Sequence, residues 1–108
     1  MFSLWIRGRD APSGMGRCIS CGDWAKLQAG HFIKRQHRAT RWNEFNVNGQ
    51  CARCNHFLHG NDGAYCMALI RWYGKAKVEE LLTLKRTTVK HSRADLEAMI
   101  KKYSIPSP

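Results

Sequence analysis

The sequence predicts a small α+β domain stapled by zinc, and three observations carry that reading. Two CxxC pairs, Cys18/Cys21 and Cys51/Cys54, bracket residues 22–50; short β-prone segments lie between them; and apolar residues at helical spacing fill the chain after residue 63. A chain of 108 residues makes one domain, 1–108, with a zinc-framed core at about 17–62 and a helical part at about 63–104. A fold this short buries only roughly 60–68% of its unfolded surface, so a metal staple answers a real deficit.

The elements follow in order. Phe2, Trp5 and Ile6 recur at helical spacing, predicting a short amphipathic helix that ends before Pro12, Gly14 and Gly16. AGHFI is a β-prone segment, KRQHRATRWNEF a basic loop, and NVNGQ a second segment leading into the second knuckle. A brief helix is expected over Asn55 to His59, ended by the GNDG turn at residues 60–63. Tyr65, Ala68, Leu69 and Trp72 mark a longer helix interrupted at Gly74, and Val78, Leu81 and Leu82 mark another. Ser92 with Asp95 resembles a capping box, and Leu96, Met99, Ile100 and Tyr103 complete the stripe of a last helix. These stripes are expected to be core.

The cysteines carry the firmest chemistry. Two residues between thiolates allow a tight turn that aims both sulfurs at one ion, and Gly22 and Asn55, which close the two knuckles, tolerate positive φ. Cys18, Cys21, Cys51 and Cys54 therefore read as a closed, structural Zn2+ site, with a thioredoxin-like redox pair as the competing reading. Cys66, in an apolar helical stretch, reads as a free buried cysteine.

Between the knuckles lies a His31, Asn46, Asn55 series. His31 falls on the first strand of a hairpin, Asn46 near the start of the second, and Asn55 at the start of the following helix. His31 and Asn55 are expected to converge on one cleft, where an imidazole takes a proton from water and an amide oxygen holds a hard cation against phosphate. Asn46, favoured over Asn48 by spacing, would tie the hairpin loop to the backbone. His59, one helical turn beyond Asn55, is a further candidate ligand. His56 adjoins Asn55 and is a weaker candidate for DNA or metal contact.

Such a hairpin and helix resemble the ββα-metal, HNH or His-Me finger, endonucleases, and CARCN with an upstream CISCG is similar to the recombination endonuclease VII arrangement. WIRGRD, CISCG, AGHF, RWNEFNVNGQCARCN, HGN and ALIRWYGKAKVEELL line up in order with the phage recombination family NinG (Rap), covering roughly residues 2–103. That resemblance implies a structure-selective endonuclease for Holliday junctions and D-loops working with Mg2+ or Mn2+. It gives His31 the role of general base, Asn55 that of metal ligand and Asn46 that of loop-ordering residue. The family often reads DAGH where this chain has Gln28, Ala29, Gly30 and His31, leaving Asp23, Glu44 or His59 as substitutes for the acid. A symmetric junction takes two cuts, so a homodimer through the helices after residue 63 is expected.

Charge points the same way. The chain has 18 Lys+Arg against 8 Asp+Glu, a formal +10, which predicts a polyanionic partner, here DNA. Lys34, Arg35, Arg38, Arg41 and Arg53 border the expected cleft against a single acid, Glu44, and five phosphate contacts would give a log–log salt slope of roughly −4 to −5. Trp42 either stacks on an unpaired base or plugs the hairpin core. Arg7, Arg9, Arg71, Lys75, Lys77, Lys85 and Arg86 could extend the surface, and without a base-reading helix selection by DNA shape is expected. No apolar run reaches the roughly 20 residues of a membrane span, so a cytoplasmic location is expected. The rival functions are a non-catalytic zinc-dependent module for branched or single-stranded DNA, and a zinc-stabilised interaction domain.

Overall fold

The computed structural model describes residues 1–88 and 90–104. Helix α1 (Phe2–Asp10) is followed by β1 (Met15–Arg17), β2 (Trp24–His31), a single turn α2 (Arg38–Arg41), β3 (Val47–Cys51), a π-helical turn (Arg53–Phe57), α3 (Asp62–Tyr73), α4 (Lys75–Lys85) and α5 (Arg93–Tyr103). The strands form one antiparallel sheet in the order β1-β2-β3, with Leu27 opposite Cys51 and His31 opposite Val47. A small α+β architecture is therefore present, with the expected hairpin leading into a helical turn.

Two layers cover the sheet. Phe2 and Ile6, one turn apart on α1, bury against Val47 with Tyr103 of α5, while Trp5, Ala29, Trp42 and Met99 pack around them. Tyr65, Leu69 and Val78 form the other cluster, joined by Ile19 and Phe32. Each fully buried aliphatic side chain here contributes about 1.5–3 kcal/mol of transfer free energy. Arg9 clamps α1 to the free edge of β3, donating to Asp10, the Glu44 and Val47 carbonyls and Asn48 Oδ1. The guanidinium satisfies edge acceptors that would otherwise face solvent, so Arg9 is an internal tie instead of part of a nucleic-acid surface.

Several elements depart from expectation. Strand β1 carries no alternating apolar signal; it forms because α1 packs down on Gly16, where a Cβ would stand 2.5 Å from the Asp10 carbonyl oxygen. Strand β2 starts at Trp24 and stops at His31, because the Ile33 amide is claimed by Asn46 at 2.8 Å. The helix expected at residues 55–59 lies at Arg53–Phe57 and is a π turn, closed by the Leu58 N–H on the Arg53 carbonyl at 2.9 Å. The capping box on α5 is present, with Ser92 and Asp95 exchanging both hydrogen bonds. Yet the stripes are only partly core: Trp72, Leu82, Leu96 and Ile100 are exposed.

Candidate functional site

The knuckles meet at one end of the β2–β3 hairpin. The four sulfurs of Cys18, Cys21, Cys51 and Cys54 lie within 4.8 Å of one another, and Cys21 and Cys51 are 3.8 Å apart. Sulfurs held about 2.3 Å from a tetrahedral ion stand about 3.8 Å apart, so the set fits Zn2+ and leaves no open position. Gly22 takes the positive φ of 78° expected of it, whereas Asn55 is helical, because the π turn carries the second knuckle. Burial pushes the Cys18 thiol up, but N–H groups of Cys21, Cys51 and Ser20 outweigh it and bring it down to about 7. Burial and the neighbouring sulfurs push Cys21 and Cys54 up, and a bound cation would hold these two as thiolates. The Asn61 amide lies 3.5 Å from Cys54 Sγ and orients that ligand.

At the other end of the hairpin Asn46 is fully buried. Its Oδ1 accepts from the Ile33 N–H at 2.8 Å, and its Nδ2 donates to the Ile33 and Thr40 carbonyls at 3.0 and 3.1 Å. One side chain thus closes the basic loop back onto the strand that presents His31. Asn48, the competing candidate, instead joins Phe45, Tyr65 and Arg9.

His31 lies half-buried in a recess of about 250 Å³ lined by Phe2, Ser3, Ala29, Arg35, Arg41 and Trp42. Its Nε2 stands 2.9 Å from the Arg41 carbonyl. A carbonyl oxygen only accepts, so Nε2 carries the hydrogen and Nδ1 keeps the lone pair. Burial, then the positive charges of Arg35, Arg41 and Lys34, push the imidazole below its ordinary value, against the opposing pull of the Arg41 carbonyl. The ring is neutral near pH 7 and can take a proton.

Asn55 does not join it. Its Nδ2 donates to Gln28 Oε1 at 2.9 Å, and Gln28 is three residues before His31 on a regular strand. Side chains alternate along β2, so His31 shares the α1 face with Ala29, while Gln28 and Gly30 turn to the opposite face. Gly30 is pressed there against the Gln50 carboxamide, which a Cβ would strike. The expected convergence of His31 and Asn55 is therefore corrected: it would need an irregularity in β2 that the strand lacks.

The expected Mg2+ or Mn2+ ion finds no carboxylate support beside Asn55. Gln28 and Asn55 offer neutral amides, and among the described residues the four-cysteine set is the one group of three or more His, Cys, Asp or Glu arranged for a metal. His59 leaves the helical turn with φ 51°, its carbonyl approached by Lys34 at 3.4 Å. Glu44 is held by Lys102 and Tyr103 at 2.6 and 2.8 Å, and Asp62 by Lys34 at 3.2 Å. These donors do not fit a tightly bound hard divalent ion.

Residues 1–106 match the family described as Bacteriophage Lambda NinG protein. The chain belongs to the NinG family. It is 39% identical over 78 residues to Protein ninG of Escherichia phage lambda, covering 69% of this chain and 36% of that one. Against Protein ninG of Escherichia phage 933W it is 36% identical over 94 residues, covering 82% and 44%. Protein ninG of Salmonella phage P22 is 39% identical over 78 residues. The chain spans less than half the length of these NinG relatives, and no solved structure matches it.

Within this NinG chain the basic residues do not make one patch. Arg35 and Arg38 are exposed, Arg35 at the His31 recess, and Arg41 is half-buried with its Nε on the Arg35 carbonyl at 2.6 Å. Lys34 is drawn off by Asp62. Arg53 is exposed on the π turn, at the zinc end of a hairpin whose four-residue span is about 13 Å. Trp42 packs against the α1/α5 cluster with the Arg41 guanidinium at 5.4 Å and the His91 ring at 5.0 Å, and its half-buried ring also lines the His31 recess. Cys66 is half-buried against the Tyr65 cluster. Sequence reasoning marked Gln28 as the departure from the family's acid but missed that it accepts from Asn55, and it missed the Arg41 carbonyl that orients His31, which has no signal in spacing. No described helix is long and apolar enough to cross a membrane.

Proposed function

We propose that this chain is the zinc-framed nuclease module of a structure-selective DNA endonuclease acting on branched recombination intermediates, Holliday junctions and D-loops, in the host cytoplasm. One observation carries the reading: the Nε2–H of His31 is committed to the Arg41 carbonyl, which leaves Nδ1 with its lone pair, and the ring lines a recess together with Arg35 and Arg41. His31 takes the proton of the attacking water, and the two arginines hold phosphate charge beside it. Membership of the NinG family supports DNA recombination as the setting. A pair of cuts on a symmetric junction would use two copies.

The test is cleavage of a labelled four-way junction beside linear duplex and single strand, with Mg2+, Mn2+ or EDTA, for the wild type and His31→Ala. Cutting that His31→Ala abolishes, with junction binding retained, supports the reading. A second reading, a junction-binding zinc module without catalysis, is favoured by the separation of His31 from Asn55 on opposite sheet faces. Tight binding with no cutting under any metal selects it.

A further inference from the structure

A larger cleft, about 710 Å³, opens at the zinc end between β1 with the first knuckle and the C-terminal half of α3. Trp24 and Trp72 line it and are 57% and 72% exposed, whereas Trp5 and Trp42 pack against the α1/α5 cluster. Local structure accounts for their placement. Arg17 and Trp24 are direct partners across β1 and β2, so their side chains share a face, and the guanidinium lies 5.6 Å from the indole centroid. On α3, Ala68, Arg71 and Trp72 fall at i, i+3 and i+4 and form one stripe along the wall.

A single exposed indole needs no explanation, but two in one cleft, each beside an arginine, form a built surface. We propose that this cleft binds single-stranded nucleic acid, with unpaired bases stacking on Trp24 and Trp72 and phosphates meeting Arg17 and Arg71. The acid in the wall does not oppose it, because Asp10 is engaged by Arg9 and by the Gly49 N–H at 2.7 Å. The formal +10 of the chain selects a polyanion over a neutral protein partner. Paired bases have no free face to offer, so the cleft takes the unpaired segment beside a branch. The inference rests on the nucleic-acid reading above for its partner and adds the part of the substrate that is held.

The experiment is fluorescence anisotropy of labelled oligothymidylate, with matched duplex and four-way junction as competitors, on the zinc-loaded protein. Trp24→Ala and Trp72→Ala each weaken single-strand binding by about 5- to 150-fold, and Trp72→Phe keeps most of it. Both rings are exposed, so zinc content and circular dichroism stay those of the wild type. His31→Ala leaves strand binding unchanged, which separates this cleft from the cutting site. Wild-type strand affinity in both alanine variants overturns the proposal, as does duplex competing as well as single strand. Conversion of a dimer to a monomer by Trp72→Ala without loss of strand affinity overturns it in favour of a self-interface. If the junction is cut but binding ignores both tryptophans, this assignment alone falls; if no nucleic acid binds, both readings fall.

Discussion

Asn55 donates its side-chain amide to Gln28 at 2.9 Å, and that contact keeps it on the sheet face away from His31. The pair is neutral at a position where a carboxylate would make it a cation site. Gln28→Asp therefore places an acid against Asn55, and Mn2+ affinity measured by titration calorimetry should rise by at least about tenfold, one charge-assisted contact's worth. Unchanged Mn2+ binding would show that this face is not a latent metal site.

His31 sets a pH dependence. Its folded value is below the ordinary 6.5, so the folded protein binds fewer protons than the unfolded chain just below that pH. Its contribution to stability is full above about 6.5 and is lost as pH falls through the depressed folded value. The acid limb of junction cutting should likewise lie below 6.5. An imidazole titration followed by NMR checks the residue directly, and a His31 midpoint at or above 6.5 contradicts the burial argument.

Zinc removal should unfold the hairpin. The sulfurs sit at one end of β2 and β3 and join the first knuckle to the π turn, so a strong chelator or Cys54→Ser should abolish the cooperative thermal transition. Metal analysis should find one zinc per chain. Replacement by Co2+ should give the absorption of a tetrahedral thiolate site.

Asn46→Ala removes three buried hydrogen bonds and leaves the Ile33 N–H and the Ile33 carbonyl without this partner, whereas the Thr40 carbonyl keeps the Asn43 N–H. A loss of about 3 kcal/mol in urea unfolding is expected. Asn46→Asp should not rescue it, because the Nδ2 donor is what the Ile33 carbonyl needs. Asn43→Ala, at a half-buried site whose side chain accepts only the Phe45 N–H, should change stability less.

Helix α5 is held at its C-terminal end. Tyr103 meets Phe2 at 4.6 Å and Trp5 at 5.2 Å edge-on, and its hydroxyl donates to Glu44. Burial raises the Glu44 carboxyl, but hydrogen bonds from Lys102 and Tyr103 outweigh it and set it below the usual value near 4.5. The tether is complete above about 4.5 and is lost as pH falls through the depressed folded value. Hydrogen exchange in α5 should accelerate there and in Tyr103→Ala, whereas Ile100→Ala, at an exposed site, should leave it unchanged.

The four-cysteine cluster, the hairpin and the α5 capping box were legible because each depends on neighbours in sequence: two-residue turns between thiolates, apolar periodicity, and a hydroxyl three residues from a carboxylate. The π turn was not legible, since its extra residue is decided by bringing Cys51 and Cys54 to the same sulfur cluster. The exposure of Trp72, Leu96 and Ile100 was equally hidden, because periodicity marks an apolar face without saying whether another element covers it.

Residue types and their order were enough for a four-cysteine metal-binding set, for a strongly positive charge and for a histidine and two asparagines on a hairpin frame. Tertiary structure alone decided which of those groups meet. Strand alternation sends His31 and Gln28 to opposite faces, α1 closes one face over His31, and the π turn delivers Asn55 to the other. A strand's two-residue period makes the facing of each side chain depend on where the strand starts and stops, and the Asn46 contact to Ile33 that ends β2 exists only in the folded chain.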